Sequence, residues 1–131
     1  MKKSLFFIVS FIISFVFTQN IHATHVMGGE ITWQCIKDPT SPNLGRYIFT
    51  MKVYRDCDGT TLPQGTEFIE VWENSVSIQT IACNFISNTD ISPDCDVTNS
   101  GNPALDCQNN PVGAVEEYIY SSAPVQLNGT P

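Results

Sequence analysis

Apolar and polar residues alternate with a period of two along most of this chain. The pattern is clearest over 46–54, where Tyr47, Phe49 and Val53 would share one face of a strand. The same alternation, rich in aromatic and β-branched residues, predicts further strands over 30–36, 68–72, 76–81, 115–120 and, more briefly, 124–127. No window of about eleven residues or more carries the apolar stripe of an amphipathic helix, so the pattern predicts an all-β protein.

Two turns are expected to join neighbouring strands into hairpins. Residues 37–45 are dense in Pro, Asp, Ser, Asn and Gly, which favours a connection that places Cys35 opposite about Tyr47. The dipeptide Asn74-Ser75 lies between the strands predicted over 68–72 and 76–81 and favours a second hairpin.

Residues 83–113 interrupt the alternation. They contain three of the five cysteines, three prolines and many Asn, Asp and Ser residues. A loop of about thirty residues is unusual in a compact domain, and a cross-link between Cys95 and Cys107 would lower the entropy of its unfolded state. The sequence therefore predicts a long, disulfide-clasped loop here.

The N-terminus has the pattern of an export signal. Two lysines precede an apolar run over 5–17, which at about thirteen residues is shorter than the roughly 20 residues that cross a bilayer. Because Ala23 suits a cleavage site, we expect a signal peptide over 1–23 and a secreted domain over 24–131, with no membrane insertion after cleavage. An N-terminal anchor is the alternative, but no basic residue follows the run to stop transfer.

The cysteines of the exported chain are Cys35, Cys57, Cys83, Cys95 and Cys107. In an oxidising compartment they predict disulfides, and their odd number leaves one thiol without a partner in the chain. The first hairpin separates Cys35 from Cys57 by about 30 Å, too far for a bridge. The second hairpin places Cys83 opposite Thr66, near the end of the sheet where the chain reaches Cys57. We therefore predict the pairs Cys57–Cys83 and Cys95–Cys107, with Cys35 unpaired or paired outside this chain.

Removal of the signal makes the chain more acidic. Four basic residues then face thirteen carboxylates, which gives a net charge of −9. A surface of this sign repels phosphate backbones, and the sequence has no basic stripe, so nucleic acid is not an expected partner.

The motifs of common catalytic centres are missing from the sequence. It has no GxSxG, HExxH, P-loop or dinucleotide-binding fingerprint, and His25 is its only histidine after export. Glu116 and Glu117 are neighbours on a predicted strand and would point to opposite faces, so they cannot act on one glycosidic bond. We expect no enzyme and no cofactor.

Two acidic pairs make calcium a minor alternative. Asp56 with Asp58, and Asp94 with Asp96, could offer oxygen ligands from turns. Both sites lack the terminal Glu of an EF-type loop, so polar turns held by a disulfide are the preferred interpretation.

Three blocks of sequence resemble a known family: ATHVMGGEITWQC, GRYIFTMKVYRDCDGT and GAVEEYIYSSAPVQLNGTP. Together they are similar to the N-terminal region of large, secreted, gliding-motility-associated proteins exported by type IX secretion. The resemblance implies an Ig-like antiparallel β-sandwich in a long cell-surface protein that ends in a C-terminal sorting domain. It implies no catalytic residues, and a structural role for Cys35 and Cys57. With the odd cysteine and the turn at 128–131, it also leads us to expect that this chain is the N-terminal piece of a longer protein and the sandwich incomplete.

The expected function is that of a non-catalytic extracellular module with a structural or adhesive role in gliding motility or adhesion. Its partners would be downstream domains of the same protein, surface glycans or other cell-surface proteins. Exposed aromatic residues would supply the contacts, and Trp72, Tyr118 and Tyr120 are the candidates. The alternative is a carbohydrate-binding accessory domain of a larger secreted hydrolase.

Overall fold

Five antiparallel strands form one curled sheet in the computed structural model, which describes residues 25–93 and 104–128. The strands are β1 (Val26–Cys35), β2 (Tyr47–Asp56), β3 (Thr66–Glu73), β4 (Val76–Asp90) and β5 (Val115–Ser122). Their order across the sheet is β1-β2-β5-β4-β3. The described residues contain no helix, so the all-β prediction is confirmed.

Both predicted hairpins are present. In the first, Cys35 pairs with Tyr47, as the sequence predicts. In the second, Asn74 and Ser75 form the turn with φ angles of 48° and 65°, the left-handed conformations that suit the twist of a two-residue hairpin loop. Cys83 lies opposite Glu67, one residue away from the prediction.

β5, the last of the described strands in sequence, occupies the middle of the sheet. β5 pairs with β2 on one side, where Asp56 lies opposite Val115, and with β4 on the other, where Cys83 lies opposite Ser122. Beyond β5, the strand predicted over 124–127 is reduced to a single bridge between Tyr47 and Val125.

One face of the sheet, called here the inner face, carries the core. Phe49 of β2, Ile81 and Cys83 of β4, and Tyr118 and Tyr120 of β5 pack together and are at least nine-tenths buried. These side chains converge because opposed residues of antiparallel strands share a face. The described residues form a single sheet, so the second layer of the predicted sandwich does not come from them.

The loop predicted over 83–113 begins too early. β4 continues to Asp90, with an irregularity in its register between Phe85 and Ser87. The Asn, Ser and Thr residues of this segment predict a loop, but apart from that irregularity β5 pairs with it from Cys83 to Asp90. Tertiary pairing therefore overrides the local propensity.

The predicted disulfide pairing is wrong. Cys57 is joined to Cys107, with their Cα atoms 5.1 Å apart, while Cys83 and Cys35 carry free thiols. The backbone N–H of Cys57 donates to Ala114 just before β5, whereas Cys83 lies beside the last residue of that strand. The eight residue steps from Ala114 to Ser122, at about 3.3 Å each, place the two cysteines about 26 Å apart. Because Cys107 is taken, it cannot pair with Cys95, which lies outside the described residues.

The predicted signal peptide over 1–23 also lies outside the described residues. Within 25–93 and 104–128 no helix is long and apolar enough to span a bilayer.

Candidate functional site

Only one of the three predicted binding aromatics is exposed. Trp72, near the end of β3, has 59% of its surface accessible. Tyr118 and Tyr120 are 0% and 1% exposed, so their assignment to a binding surface is wrong. They point inward from the central strand, and Tyr120 Oη donates to the Pro63 carbonyl over 2.7 Å.

A different apolar surface lies on the inner face at the β1 side of the sheet. We call it the open face and define it by Gly29, Ile31 and Trp33 of β1 with Met51 and Val53 of β2. The register places Trp33 opposite Phe49, Ile31 opposite Met51 and Gly29 opposite Val53, so all share the face of the core. Ile31 is nevertheless 48% exposed and Trp33 66% exposed, because the described residues place nothing over them.

Two shallow hollows line the open face. The larger, about 590 Å³, lies over Gly29, Ile31 and the β2 residues Met51 and Val53. The smaller, about 370 Å³, is bounded by Trp33, Tyr47, Phe49 and Leu127. Their walls consist mainly of apolar side chains and backbone, which suit the burial of another apolar surface. Glu30 and Lys52 also border the larger hollow, where they pair with each other.

Charges along this edge of the sheet lie on the opposite, outer face. Lys52 Nζ lies 3.1 Å from a Glu117 carboxylate oxygen and 3.6 Å from one of Glu30. The hydrogen bond and the charge of Glu117 raise the pKa of Lys52. The open face is therefore apolar on the inside and charge-balanced on the outside.

A buried ion pair on the inner face was not found by sequence reasoning. Arg55 Nη2 and Nε donate to Glu116 Oε2 over 2.7 and 2.9 Å, and the two side chains are only 7% and 12% exposed. Arg55 Nη1 also donates to the carbonyls of Asp56 and Gly59 over 3.0 and 2.9 Å. Burial alone would lower the pKa of Arg55, but the contacts with Glu116 raise it. The pair ties the turn after β2 to the central strand.

Tyr118 lies beside this ion pair. The Arg55 guanidinium carbon is 5.8 Å from the centroid of its ring. The buried Tyr118 Oη has no hydrogen-bond partner of ordinary geometry among the described residues, and burial raises its pKa. Neither hollow of the open face reaches this residue, so we interpret the cluster as structural.

The paired carboxylates behave as the sequence predicts. Glu116 contacts Arg55 on the inner face, and its neighbour Glu117 contacts Lys52 on the outer face. They are thus separated by the sheet and do not form a joint acid–base pair.

The calcium candidates find other roles or lie outside the described residues. Asp56 Oδ1 accepts the backbone N–H of Asp58 over 3.0 Å and so caps the turn. No group of three or more His, Cys, Asp or Glu side chains that could hold a metal occurs within 25–93 and 104–128. Asp94 and Asp96 are not among these residues.

Asp90 anchors the segment that carries the second half of the disulfide. Its carboxylate accepts hydrogen bonds from Ser92 and, over 2.7 Å, from the backbone N–H of Cys107. These bonds, with the Ser92 hydroxyl first, lower the pKa of Asp90. The sequence signal for this role was an Asx turn, Asp-x-Ser, at the end of a strand.

Comparison with protein-family models, curated proteins and solved structures gives no match to this chain. The residues of this chain are therefore the basis for assigning a function to it.

Proposed function

We propose that this chain is a non-catalytic extracellular module with a structural or adhesive role in a cell-surface protein associated with gliding motility or adhesion. The open face carries the proposal. Exposed tryptophan and isoleucine on the same face as a packed core mark a surface that is completed by another protein unit.

The chemistry of the described residues supports an interaction role. Asp56 and Asp90 cap turns, Glu116 and Glu117 pair with Arg55 and Lys52, and the hollows lack titratable groups in catalytic arrangement. A disulfide between Cys57 and Cys107 is consistent with an oxidising, extracellular compartment.

We further propose that the sheet is one layer of an Ig-like β-sandwich. Its inner face carries the apolar core and the open face together with the buried pair of Arg55 and Glu116, while its outer face carries Glu30, Lys52 and Glu117, the asymmetry expected of one sandwich layer. The opposing layer would come from outside the described residues, and downstream domains of a longer protein or another surface protein are the candidate sources.

The test is genetic complementation with localisation. Cells of the source organism that lack the gene receive the wild-type gene, an Ile31→Ser/Trp33→Ser variant, or a Phe68→Ser control. Phe68 is a matched control because it is 61% exposed on the opposite edge strand. We expect surface labelling of all three proteins, and loss of adhesion or gliding only in the double variant. Normal adhesion and gliding in the deletion strain, or an intracellular product, would refute the proposal.

One observation favours carbohydrate binding as a second candidate. Trp33 stands exposed beside a hollow that also contains Tyr47 and Phe49, and aromatic rings of this kind can stack on sugar rings. Glycan-array binding with and without chelator, repeated with Trp33→Ala, tests this role. Sugar binding that Trp33→Ala abolishes would favour an accessory domain of a hydrolase over a purely structural module.

A further inference from the structure

At the outer edge of β1, the open-face residues Gly29, Ile31 and Trp33 turn their backbone N–H and C=O groups away from the sheet. Asp56 donates its N–H to His25 on the β1 side, whereas Tyr47 and Cys57 donate theirs to Val125 and Ala114 on the β5 side. The backbone groups of even-numbered β2 residues therefore form hydrogen bonds with β1. Their partners are the even-numbered β1 residues that lie opposite them, such as Glu30 and Thr32.

The odd-numbered residues Gly29, Ile31 and Trp33 consequently turn their N–H and C=O groups outward. β1 is an edge strand of ten residues with no proline and no inward-pointing charge. Native proteins usually blunt such an edge with lysine, proline or a short strand, so an unblunted one is suited to pairing with another strand.

Charge distinguishes this edge from the other one. β1 carries a single charged residue, Glu30, and Lys52 balances it. β3, at the opposite edge, carries Glu67 and Glu70 and no basic residue. In a chain with a net charge of −7, two copies can approach through β1 without bringing uncompensated charges together, whereas two β3 edges would repel each other.

The shape of the β1 edge is complementary to itself. A two-fold axis at Ile31 places Trp33 of each copy opposite Gly29 of the other, both on the inner face. At Gly29 even a Cβ would lie 2.7 Å from the Lys52 carbonyl oxygen, so this position must remain bare. The indole ring of the second copy would cover it, as aromatic residues do for glycines on paired strands.

We propose that two copies of this chain pair through antiparallel β1 strands, with Ile31 on the two-fold axis. This rests on the proposed function and names a second copy as the unit that completes the open face. About six backbone hydrogen bonds form, because Gly29, Ile31 and Trp33 each donate one from either copy. The ten strands make one continuous sheet, and because each half is curled, the second half bends round toward the inner face of the first.

A pair of ten-residue edges is a small interface. Its length is about 33 Å, and an edge contact of this size belongs with weak, transient interfaces rather than with obligate ones. We therefore expect a dimer with a Kd in the micromolar range, about 1–100 μM.

Sedimentation equilibrium of the full chain, exported so that its disulfide forms, tests the proposal from about 1 to 500 μM. The wild-type protein is expected to approach twice the chain mass at the upper concentrations. Ile31→Lys puts two lysines on the axis and is expected to remain monomeric. Phe68→Lys, the matched change on the β3 edge, is expected to dimerise as the wild-type protein does.

Ile31→Pro gives a second, independent test of pairing through β1. It removes an N–H that makes no bond within the sheet, so the monomer keeps its ladder, but the dimer loses its two central hydrogen bonds. We expect the Kd to rise by about 30-fold or more. Circular dichroism of each variant checks that the sheet is intact.

A wild-type protein that stays monomeric throughout, or a dimer that Phe68→Lys breaks and Ile31→Lys keeps, overturns the proposal. The proposed function fails separately, because it is measured by adhesion of cells. Monomeric wild-type protein with adhesion that requires the open face would reject self-pairing and retain the module.

Discussion

The disulfide between Cys57 and Cys107 offers the sharpest test of the fold. The bond joins residues 50 positions apart, so it closes a loop that contains β3, β4 and the segment beyond them. In the chain-entropy description, a cross-link over a loop of this length stabilises the folded state by about 4 kcal/mol at 25 °C. We therefore expect Cys57→Ala/Cys107→Ala to lose about 4 kcal/mol in the free energy of unfolding.

Urea denaturation followed by tryptophan fluorescence measures this loss. With an m value of about 1–2 kcal/mol per molar urea for a domain of this size, the midpoint should fall by about 2–4 M. The experiment is run near pH 5, where few thiols are ionised and exchange among free cysteines is slow.

Cys83→Ala and Cys35→Ala are the matched controls. Cys83 is fully buried with a free thiol, so its truncation leaves a small cavity and should cost only about 1 kcal/mol. Cys35 is half-buried at the edge of the sheet, and its truncation should change stability by less than about 0.5 kcal/mol. If Cys83→Ala lowers the free energy of unfolding as much as the double variant does, the pairing of Cys57 with Cys107 is refuted. That result would instead support a bridge between Cys57 and Cys83.

Three further predictions concern buried polar groups and pH. Tyr118→Phe removes an unpartnered buried hydroxyl and should raise the free energy of unfolding by about 1 kcal/mol, whereas Tyr120→Phe removes one that donates to a backbone carbonyl and should lower it by about 1 kcal/mol; equal effects in urea denaturation would contradict the assigned hydrogen bonds. Glu116→Gln leaves a buried guanidinium without its counter-ion and should cost about 3 kcal/mol in the same assay, while Glu30→Gln at an exposed pair should cost less than about 0.5 kcal/mol. Because hydrogen bonds lower the pKa of Asp90 in the folded protein, its stabilising effect is complete above the ordinary value of 3.8 and is lost as the pH falls through the lowered one. The advantage of the wild-type protein over Asp90→Asn in urea midpoint should therefore be present near pH 5 and shrink toward about pH 2, and an advantage that grows on acidification would contradict this assignment.

Local contacts were predictable from the sequence. Alternation and turn residues predicted both hairpins, including the pairing of Cys35 with Tyr47 and the turn at Asn74-Ser75. These features depend on neighbouring residues and on the backbone preferences of the turn, which a sequence displays directly.

Non-local pairing was not predictable in the same way. Nothing in the pattern of 115–120 states that this strand lies between β2 and β4. That one placement buries Tyr118 and Tyr120, extends β4 to Asp90 and moves Cys57 away from Cys83. The errors in the disulfide pairs, the loop and the binding aromatics therefore share one physical cause.

The open face was missed for a related reason. Ile31 and Trp33 have the alternation of core residues, and the sequence gives no sign that their strand is an edge. An apolar residue on an edge strand and one on a central strand look alike until the strand order is known.

The central position of β5 has a consequence for the order in which this protein folds. Its two hairpins consist of contacts between chain neighbours, and each can form as soon as its own residues are available. The sheet cannot close until residues 115–122 arrive, because among the described strands only β5 pairs with both β2 and β4. A chain that emerges N-terminus first therefore presents unpaired edges on both hairpins until β5 has emerged. Closure of the sheet then becomes the slow, aggregation-sensitive step, and the rate of folding is set by the arrival of β5 rather than by either hairpin.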